Sequence, residues 1–410
     1  MGRTVCPPDV KQRASGAKAV LVWAGLLALI FAVLAWPAGG LAASLDASGD
    51  IRIYLVDPSD AEPAFAIEHD GLELIAEFGS DENSLFVGAG SLRWGPGRSG
   101  SLMMSGRAEP MPLVGYHLSR GNSDYVRFIG LMESDEARRL IGHRLEYTPT
   151  PDVVLGVSET AVVSQNASRA LYLPFPGFPL YALQRVVSQQ DRAQDSLINI
   201  NLGADFSLFW DLMSGDFAKW GGFAPRMELY GEVFIDDAQG HIPNRAYVPD
   251  MVGGLVGIDL PKLPWNLRFG ANIEYVAIAN FVYSHRNPNN DYVYRGVMLG
   301  HPLGPDSDML VLTLSYCPDK CAKLTLSGAV ERHGEGRAGQ SWSHQHEPED
   351  WFLSGVVETC ARAVFGIERE LAPMARLMGS LEYATKSNSG NVLGQSSDEW
   401  NMRIGVGVKL

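Results

Sequence analysis

Trp400–Leu410 reads WNMRIGVGVKL. In an extended chain Trp400, Met402, Ile404, Val406, Val408 and Leu410 fall on one face, and Asn401, Arg403, Gly405, Gly407 and Lys409 on the other. A period of two marks a β-strand, because successive side chains point to opposite faces of the sheet. The same alternation recurs upstream. In Leu197–Phe209, Ile198, Ile200, Leu202, Ala204, Phe206 and Leu208 oppose Asn199, Asn201, Gly203, Asp205 and Ser207. Arg226–Asp236 sets Met227, Leu229, Val233 and Ile235 against Arg226, Glu228, Glu232 and Asp236, and Asn266–Ala277 and Ala322–Glu331 repeat the pattern.

Each such strand has one apolar and one wet face. A soluble sandwich also alternates, but its apolar faces need a partner sheet. Runs of ten to thirteen residues, repeated many times, have the length that crosses a bilayer at a tilt. A terminal apolar residue with apolar positions at every second place before it resembles the closing strand of outer-membrane barrels, with Leu410 where Phe is usual. The expected fold is all-β: a transmembrane antiparallel β-barrel of about 16–18 strands. The higher count applies if Asp50–Val56 and Asp291–Met298 both join the wall.

The amino terminus carries an export signal. Lys11, Arg13 and Lys18 precede the apolar run Ala19–Trp36, and the small residues Gly40, Ala42 and Ala43 follow. Those are the three parts of a secretory signal peptide, so residues 1–43 are expected to be the signal and 44–410 a single barrel domain in the cell outer membrane. After Ala43 no apolar run approaches eighteen residues, so any crossing must use strands closed on themselves.

With Leu410 periplasmic, loops and turns alternate back along the chain. Lys386–Glu399, His333–Asp350, Ser284–Asp306 and Asp237–Val248 fall outside; Glu370–Pro373, Pro318–Lys320 and Pro261–Pro264 fall inside. Asp211–Ala224 is a long periplasmic connection, and Ala64–Phe78 reads as a hairpin around His69-Asp70-Gly71. Gly95–Met111 falls outside and, with its Gly95-Pro96-Gly97 turn, is expected to fold into the mouth and narrow the lumen.

Composition limits the chemistry. With a formal charge of −14, nucleic acid, whose phosphates need a basic face, is not an expected partner. GPGRSGS at Gly95–Ser101 lacks the Gly-Lys-Ser/Thr ending of a phosphate loop. His344 and His346, with Glu347, Glu349 and Asp350, are the only concentrated metal-ligand types, and they lie in a surface loop where such runs are ordinarily solvated; no metal or cofactor is expected. No hydrolase spacing of Ser, His and Asp stands out, so no catalytic residue is assigned and the chain is read as non-enzymatic. Cys317 and Cys321 flank Pro318-Asp319-Lys320, where a disulfide could staple the hairpin. The inward face would carry both signs of charge, among them Arg226, Glu228, Glu232, Glu274, Glu331, Arg362, Glu382 and Arg403, and so would hold itself together by ion pairs.

Several short motifs resemble the Wzi capsule-assembly family. Phe86–Ser105, with Arg93-Trp94-Gly95-Pro96-Gly97 and Gly100-Ser101-Leu102, resembles its signature region. Phe128–Leu131, Gly142–Glu146, Gly156–Glu159, Leu229–Glu232 and Leu299–Ser307 follow in the family's order. The resemblance implies an outer-membrane barrel of about eighteen strands that anchors capsular or surface polysaccharide through its outer loops; the partners expected are that polysaccharide and outer-membrane lipid, with the chain a monomer. Sugar contacts would come from aromatic faces and polar side chains. Candidates are Arg93, Trp94, Tyr247, Tyr292, Tyr294, Trp342 and Trp351. The alternative reading is a porin for small solutes or oligosaccharides.

Overall fold

The computed structural model describes residues 43–410 apart from 49, 55–65, 70–72, 81, 133–137, 165, 173–178, 191–196, 213–225, 238–249, 264–265, 267, 286, 341–350, 373–374 and 410. Apart from Ala43, the segment expected as a signal peptide lies outside the described residues. The strands are β1 (Ala43–Ser48), β2 (Asp50–Tyr54), β3 (Ala66–His69), β4 (Glu73–Ser80), β5 (Asn83–Gly90), β6 (Arg93–Trp94) and β7 (Met104–Ser105). Then come β8 (Met111–Arg120), β9 (Ser123–Leu131), β10 (Arg139–Thr150), β11 (Val153–Val163), β12 (Ile198–Asp211), β13 (Arg226–Asp237), β14 (Met251–Leu260) and β15 (Phe269–Ile278). The rest are β16 (Val293–Tyr294), β17 (Val297–Met298), β18 (Ser307–Asp319), β19 (Ala322–His333), β20 (Glu358–Ala372), β21 (Ala375–Ser387) and β22 (Ser396–Lys409). A helix, α1 (Leu180–Gln190), lies between β11 and β12.

Eighteen of these strands make one antiparallel sheet; the pairs β6–β7 and β16–β17 stand apart. β1 pairs with β4 from Ala43↔Phe78 to Ser48↔Glu73, and β2 with β3 from Ile51↔His69 to Tyr54↔Ala66. These are two halves of one ladder whose register shifts by a single residue. Counting β1 with β2 and β3 with β4 as one stave each reduces eighteen pieces to sixteen staves. β22 pairs with β2 from Asp50↔Lys409 to Tyr54↔Gly405, which brings the last stave onto the first. Closure removes the unpaired edges that an open sheet would present.

Two local expectations are corrected. The hairpin over Ala64–Phe78 is not formed: β3 and β4 do not pair with each other but run along the same partner stave. Asp70 and Gly71 themselves lie outside the described residues. Asp291–Met298 adds no stave either; it supplies β16 and β17, a two-residue ribbon paired Val293↔Met298 and Tyr294↔Val297.

Short turns such as Gly121-Asn122 and Pro151-Asp152 mark one end of the barrel, where the strand ends Asp211 and Arg226 also lie, and the remaining long connections mark the other. Of the expected long periplasmic connection Asp211–Ala224, residues 213–224 lie outside the described set. The outward face is apolar: Leu312, Leu314, Leu326, Phe365, Ile367, Leu381, Met402 and Ile404 are all exposed. Glu228, Glu232, Glu274 and Asp308 are buried inside. That inversion of a soluble protein's polarity is what a hydrocarbon surround demands. Aromatic pairs edge the apolar band, Phe269 stacked on Tyr316 at 4.6 Å towards the turn end and Tyr383 beside Trp400 at 4.7 Å towards the loop end.

Candidate functional site: the loop-filled mouth

The pairing of Arg93 with Ser105 and Trp94 with Met104 closes Gly95–Met103 into a loop. This loop enters the lumen, and Leu102, Met103 and Met104 are almost wholly buried there. An irregular loop inside a barrel brings backbone N–H groups that need acceptors, and carboxylates on the wall supply them. Glu232 accepts from the N–H of Gly97 at 2.7 Å and of Leu102 at 2.6 Å. Glu274 accepts from the N–H of Arg98 at 2.6 Å and of Ser99 at 2.9 Å, from the Ser99 hydroxyl, and from the Tyr230 hydroxyl at 2.8 Å. The Arg98 guanidinium pairs with Glu228, lies 3.6 Å from Asp259 and covers the Tyr230 ring at 5.3 Å. Hydrogen bonds to ionised groups are the stronger kind.

The glycines of this loop are set by close approach. Gly95 sits at φ +121°, and a Cβ there would meet Glu232 Oε1 at 2.4 Å. At Gly97 a Cβ would meet the Gly100 carbonyl oxygen at 2.1 Å. Only glycine fits both demands.

A second insertion, residues 279–306, packs against the first. Tyr283 and Tyr292 stack at 6.0 Å, both fully buried. The Tyr283 hydroxyl donates to the Leu102 carbonyl at 2.9 Å and accepts from the His301 N–H at 3.0 Å. Burial holds the His301 imidazole neutral, its pKa lowered to about 3, with the nearby Arg107 charge adding to the effect. His301 Nδ1 accepts from the Leu303 N–H at 3.2 Å, so its proton sits on Nε2, 3.1 Å from Ser99 Oγ. Ser99 in turn donates to Glu274. In this arrangement the imidazole donates to the serine; a hydrolase needs it to accept the serine's proton. Asp306 ties the following loop down, accepting from the N–H groups of Gly336 at 2.8 Å and Ser354 at 3.0 Å.

A third insertion surrounds α1, which nothing in the sequence analysis anticipates. Glu159 on β11 accepts at both oxygens from the first N–H groups of the helix, Leu180 at 2.6 Å and Tyr181 at 2.7 Å. An acidic group there also meets the positive end of the helix dipole. His143 Nε2 lies 2.7 Å from the same carboxylate, and Arg127 donates to the Leu171 carbonyl at 3.0 Å. A cluster of Ile141, Ala161, Val163, Leu171, Leu180 and Ile198 seals the joint.

The sequence-derived candidates are dispersed. Trp94 is buried and packs edge-on against Phe128 at 5.4 Å, so it is a piece of the plug. Arg93 is exposed and donates to the Gly97 carbonyl. Tyr292 and Tyr294 are buried and present no face to solvent. Trp351 is half exposed, with its ring N–H donating to the Asp250 carbonyl at 2.6 Å and its own carbonyl accepting from Asn280 at 3.0 Å. Tyr247, Trp342, His344 and His346 lie outside the described residues. Cys317 and Cys321 are free thiols, correcting the expected staple. Cys317 falls in the register shift between Tyr316 and Asp319, and Cys321 sits at the turn, so the two are not a cross-strand pair.

The expected lumenal ion pairs are present: Arg362 lies 3.2 Å from both Glu331 and Glu382, and Arg144 is paired with Asp205. The inserted loops pack against the wall from β9 to β15. On the opposite wall, β19–β22, Glu368, Arg376 and Arg403 are exposed, whereas Glu331 is buried.

A family model for the capsule assembly protein Wzi matches residues 219–395. Over that segment the sequence is similar to Wzi. A solved structure of Wzi from Escherichia coli, an outer membrane protein involved in group 1 capsule assembly and described as a carbohydrate-binding β-barrel, is 15% identical. The alignment covers 98% of this chain and 90% of that one, with a TM-score of 0.55. OprD of Pseudomonas aeruginosa aligns over 90% of this chain and 95% of its own at 8% identity and a TM-score of 0.50. At these identities the likeness is one of fold. No curated protein matches. With its apolar belt, the chain is an outer-membrane β-barrel.

Proposed function

We propose that this Wzi-like barrel binds capsular or other surface polysaccharide at its loop end and anchors it at the cell surface without turning it over. The observation that carries the reading is the packing of the inserted loops, whose irregular backbone is fastened to buried wall carboxylates. A mouth built this way is a fixed surface, and a fixed surface loses little entropy on binding. Trp351 lies on it with an exposed ring and a tethered N–H, the combination that lets an indole stack on a sugar. Arg93, and from the sequence Tyr247 and Trp342, remain candidate contacts. The proton arrangement at Ser99 and His301 supports the non-enzymatic reading. The partners on this reading are the polysaccharide and the surrounding outer-membrane lipid, with the chain a monomer.

The test is binding of immobilised capsular polysaccharide from the parent strain to purified barrel. Trp351→Ala is expected to weaken it about tenfold, near 1.4 kcal/mol. For anchoring, a chromosomal deletion should release capsule from cells into the medium; cell-attached capsule at the parental level would overturn it. The exposed Glu368, Arg376 and Arg403 on the β19–β22 wall favour a second reading, a narrow pore, and a stable open current in planar bilayers would select that reading over the anchor.

A further inference from the structure

We propose that the turn end of the barrel carries an anion site formed by Arg268, Lys320, Lys323, Arg369 and Arg376, for a phosphate- or carboxylate-bearing ligand of oligosaccharide size. These residues line a cavity of about 550 Å³ between the start of β15, the β18–β19 turn and the ends of β20 and β21. That volume is in the range of ligand sites. Three acids, Asp319, Glu368 and Glu370, share the lining, so five cations against three anions leave it net positive by two. The whole chain, by contrast, carries −14.

What marks this cluster is that, among the described residues, four of its five cations lack a carboxylate partner around one cavity. Higher in the lumen Arg98 is matched to Glu228, Arg144 to Asp205, and Arg362 to Glu331 and Glu382, while Arg93 and Arg127 donate to backbone carbonyls. Among the described residues Arg268, Lys320, Lys323 and Arg369 form no ion pair, and Arg376 only leans towards Glu368 at 3.7 Å. Uncompensated like charges around a concave wall focus a positive potential into it, and guanidinium forks match phosphate and carboxylate geometry. The site is at the opposite end from the inserted loops and does not depend on the surface proposed for polysaccharide.

The experiment is calorimetric titration of the full chain, folded in a neutral detergent, with tripolyphosphate, oligogalacturonate and neutral maltohexaose. Both anions are expected to bind saturably, more weakly as salt is added, and maltohexaose to give no heat that the variants alter. Arg268→Ala with Arg376→Ala should lower anion affinity at least tenfold, and Lys320→Ala with Lys323→Ala, at exposed positions, should lower it severalfold while leaving the fold intact. Phosphatidylglycerol added to the micelles separates two sources of the same chemistry. Competition with tripolyphosphate assigns the site to a lipid headgroup, and unchanged affinity assigns it to a soluble anion. Absence of saturable anion binding, or equal binding by both double variants and the parent, overturns the proposal.

Discussion

The carboxylate of Glu232, on the lumenal side of β13, accepts the backbone N–H of Gly97 at 2.7 Å across 135 residues of sequence. Its other oxygen takes the N–H of Leu102 at 2.6 Å, so one side chain holds both arms of the inserted loop. Glu232→Gln keeps the volume but turns one acceptor into a donor facing an N–H group. A buried donor without an acceptor costs about 1–3 kcal/mol. Trypsin cleavage after Arg98, and current through the barrel in planar bilayers, should both rise; protection equal to the parent's would show that the loop is held elsewhere.

Steric closeness predicts a stronger effect at Gly97. Its added Cβ would lie 2.1 Å from the Gly100 oxygen and 2.8 Å from Leu255 Cδ1, contacts that force the loop to move. Gly97→Ala should therefore expose Arg98 to trypsin, whereas Gly254→Ala, with nothing within 4 Å of its Cβ, should leave proteolysis and thermal stability at parental values.

Acid should loosen the insertions. The folded pKa of His301, about 3, lies below its ordinary 6.5. Between these values the unfolded chain binds the proton and the folded chain does not, so His301 disfavours folding increasingly as pH falls from about 6.5 towards 3. Asp291 has the opposite sign: burial raises its pKa from 3.8 to about 6, so it favours the folded state at the acid end of that window and loses the advantage as pH rises through it. Comparing tryptic protection of His301→Asn and parent from pH 7 to pH 4 isolates the histidine. The variant should lose less protection than the parent, and parallel curves would dismiss this role for His301.

Lipid contact can be tested at Leu312, exposed in the middle of β18. Leu312→Arg should destabilise the barrel by about 2–4 kcal/mol, the cost of a cation near the bilayer midplane, read by urea unfolding in liposomes. A change below about 0.5 kcal/mol would place this face away from hydrocarbon.

Ser99 provides the check on catalysis. With His301 donating to it, the hydroxyl lacks the histidine base of a serine hydrolase, and Glu274, which accepts from it, is already occupied by the Arg98 and Ser99 N–H groups and the Tyr230 hydroxyl. A fluorophosphonate probe should label purified protein no faster than it labels Ser99→Ala. Faster labelling that is lost in Ser99→Ala would reopen the enzymatic reading.

What was legible in the sequence followed from periodicity. Alternation in Trp400–Leu410 and Leu197–Phe209 predicts strands, and the structure places Leu202, Met402 and Ile404 outward and Asn199 and Asn201 inward. The Gly-Pro-Gly run read correctly as a tight loop in the mouth. Tyr292 and Tyr294 were less legible as sugar contacts, because an aromatic in a polar outer segment is buried once that segment folds inward. α1 escaped notice because what stabilises it locally, the Glu159 carboxylate at its first turn, comes from another strand.

By itself, then, the sequence determined which face of each stave meets lipid, since that is a local property with an exact period of two and one polar and one apolar surround. It also determined that the chain needs many such staves. Tertiary structure alone decided the sixteen-stave closure, because β2 meets β22 by a register between opposite ends of the chain. It alone decided which wall carboxylates receive the inserted loops, and which cations at the turn end are left without partners, because each depends on residues brought together from distant staves.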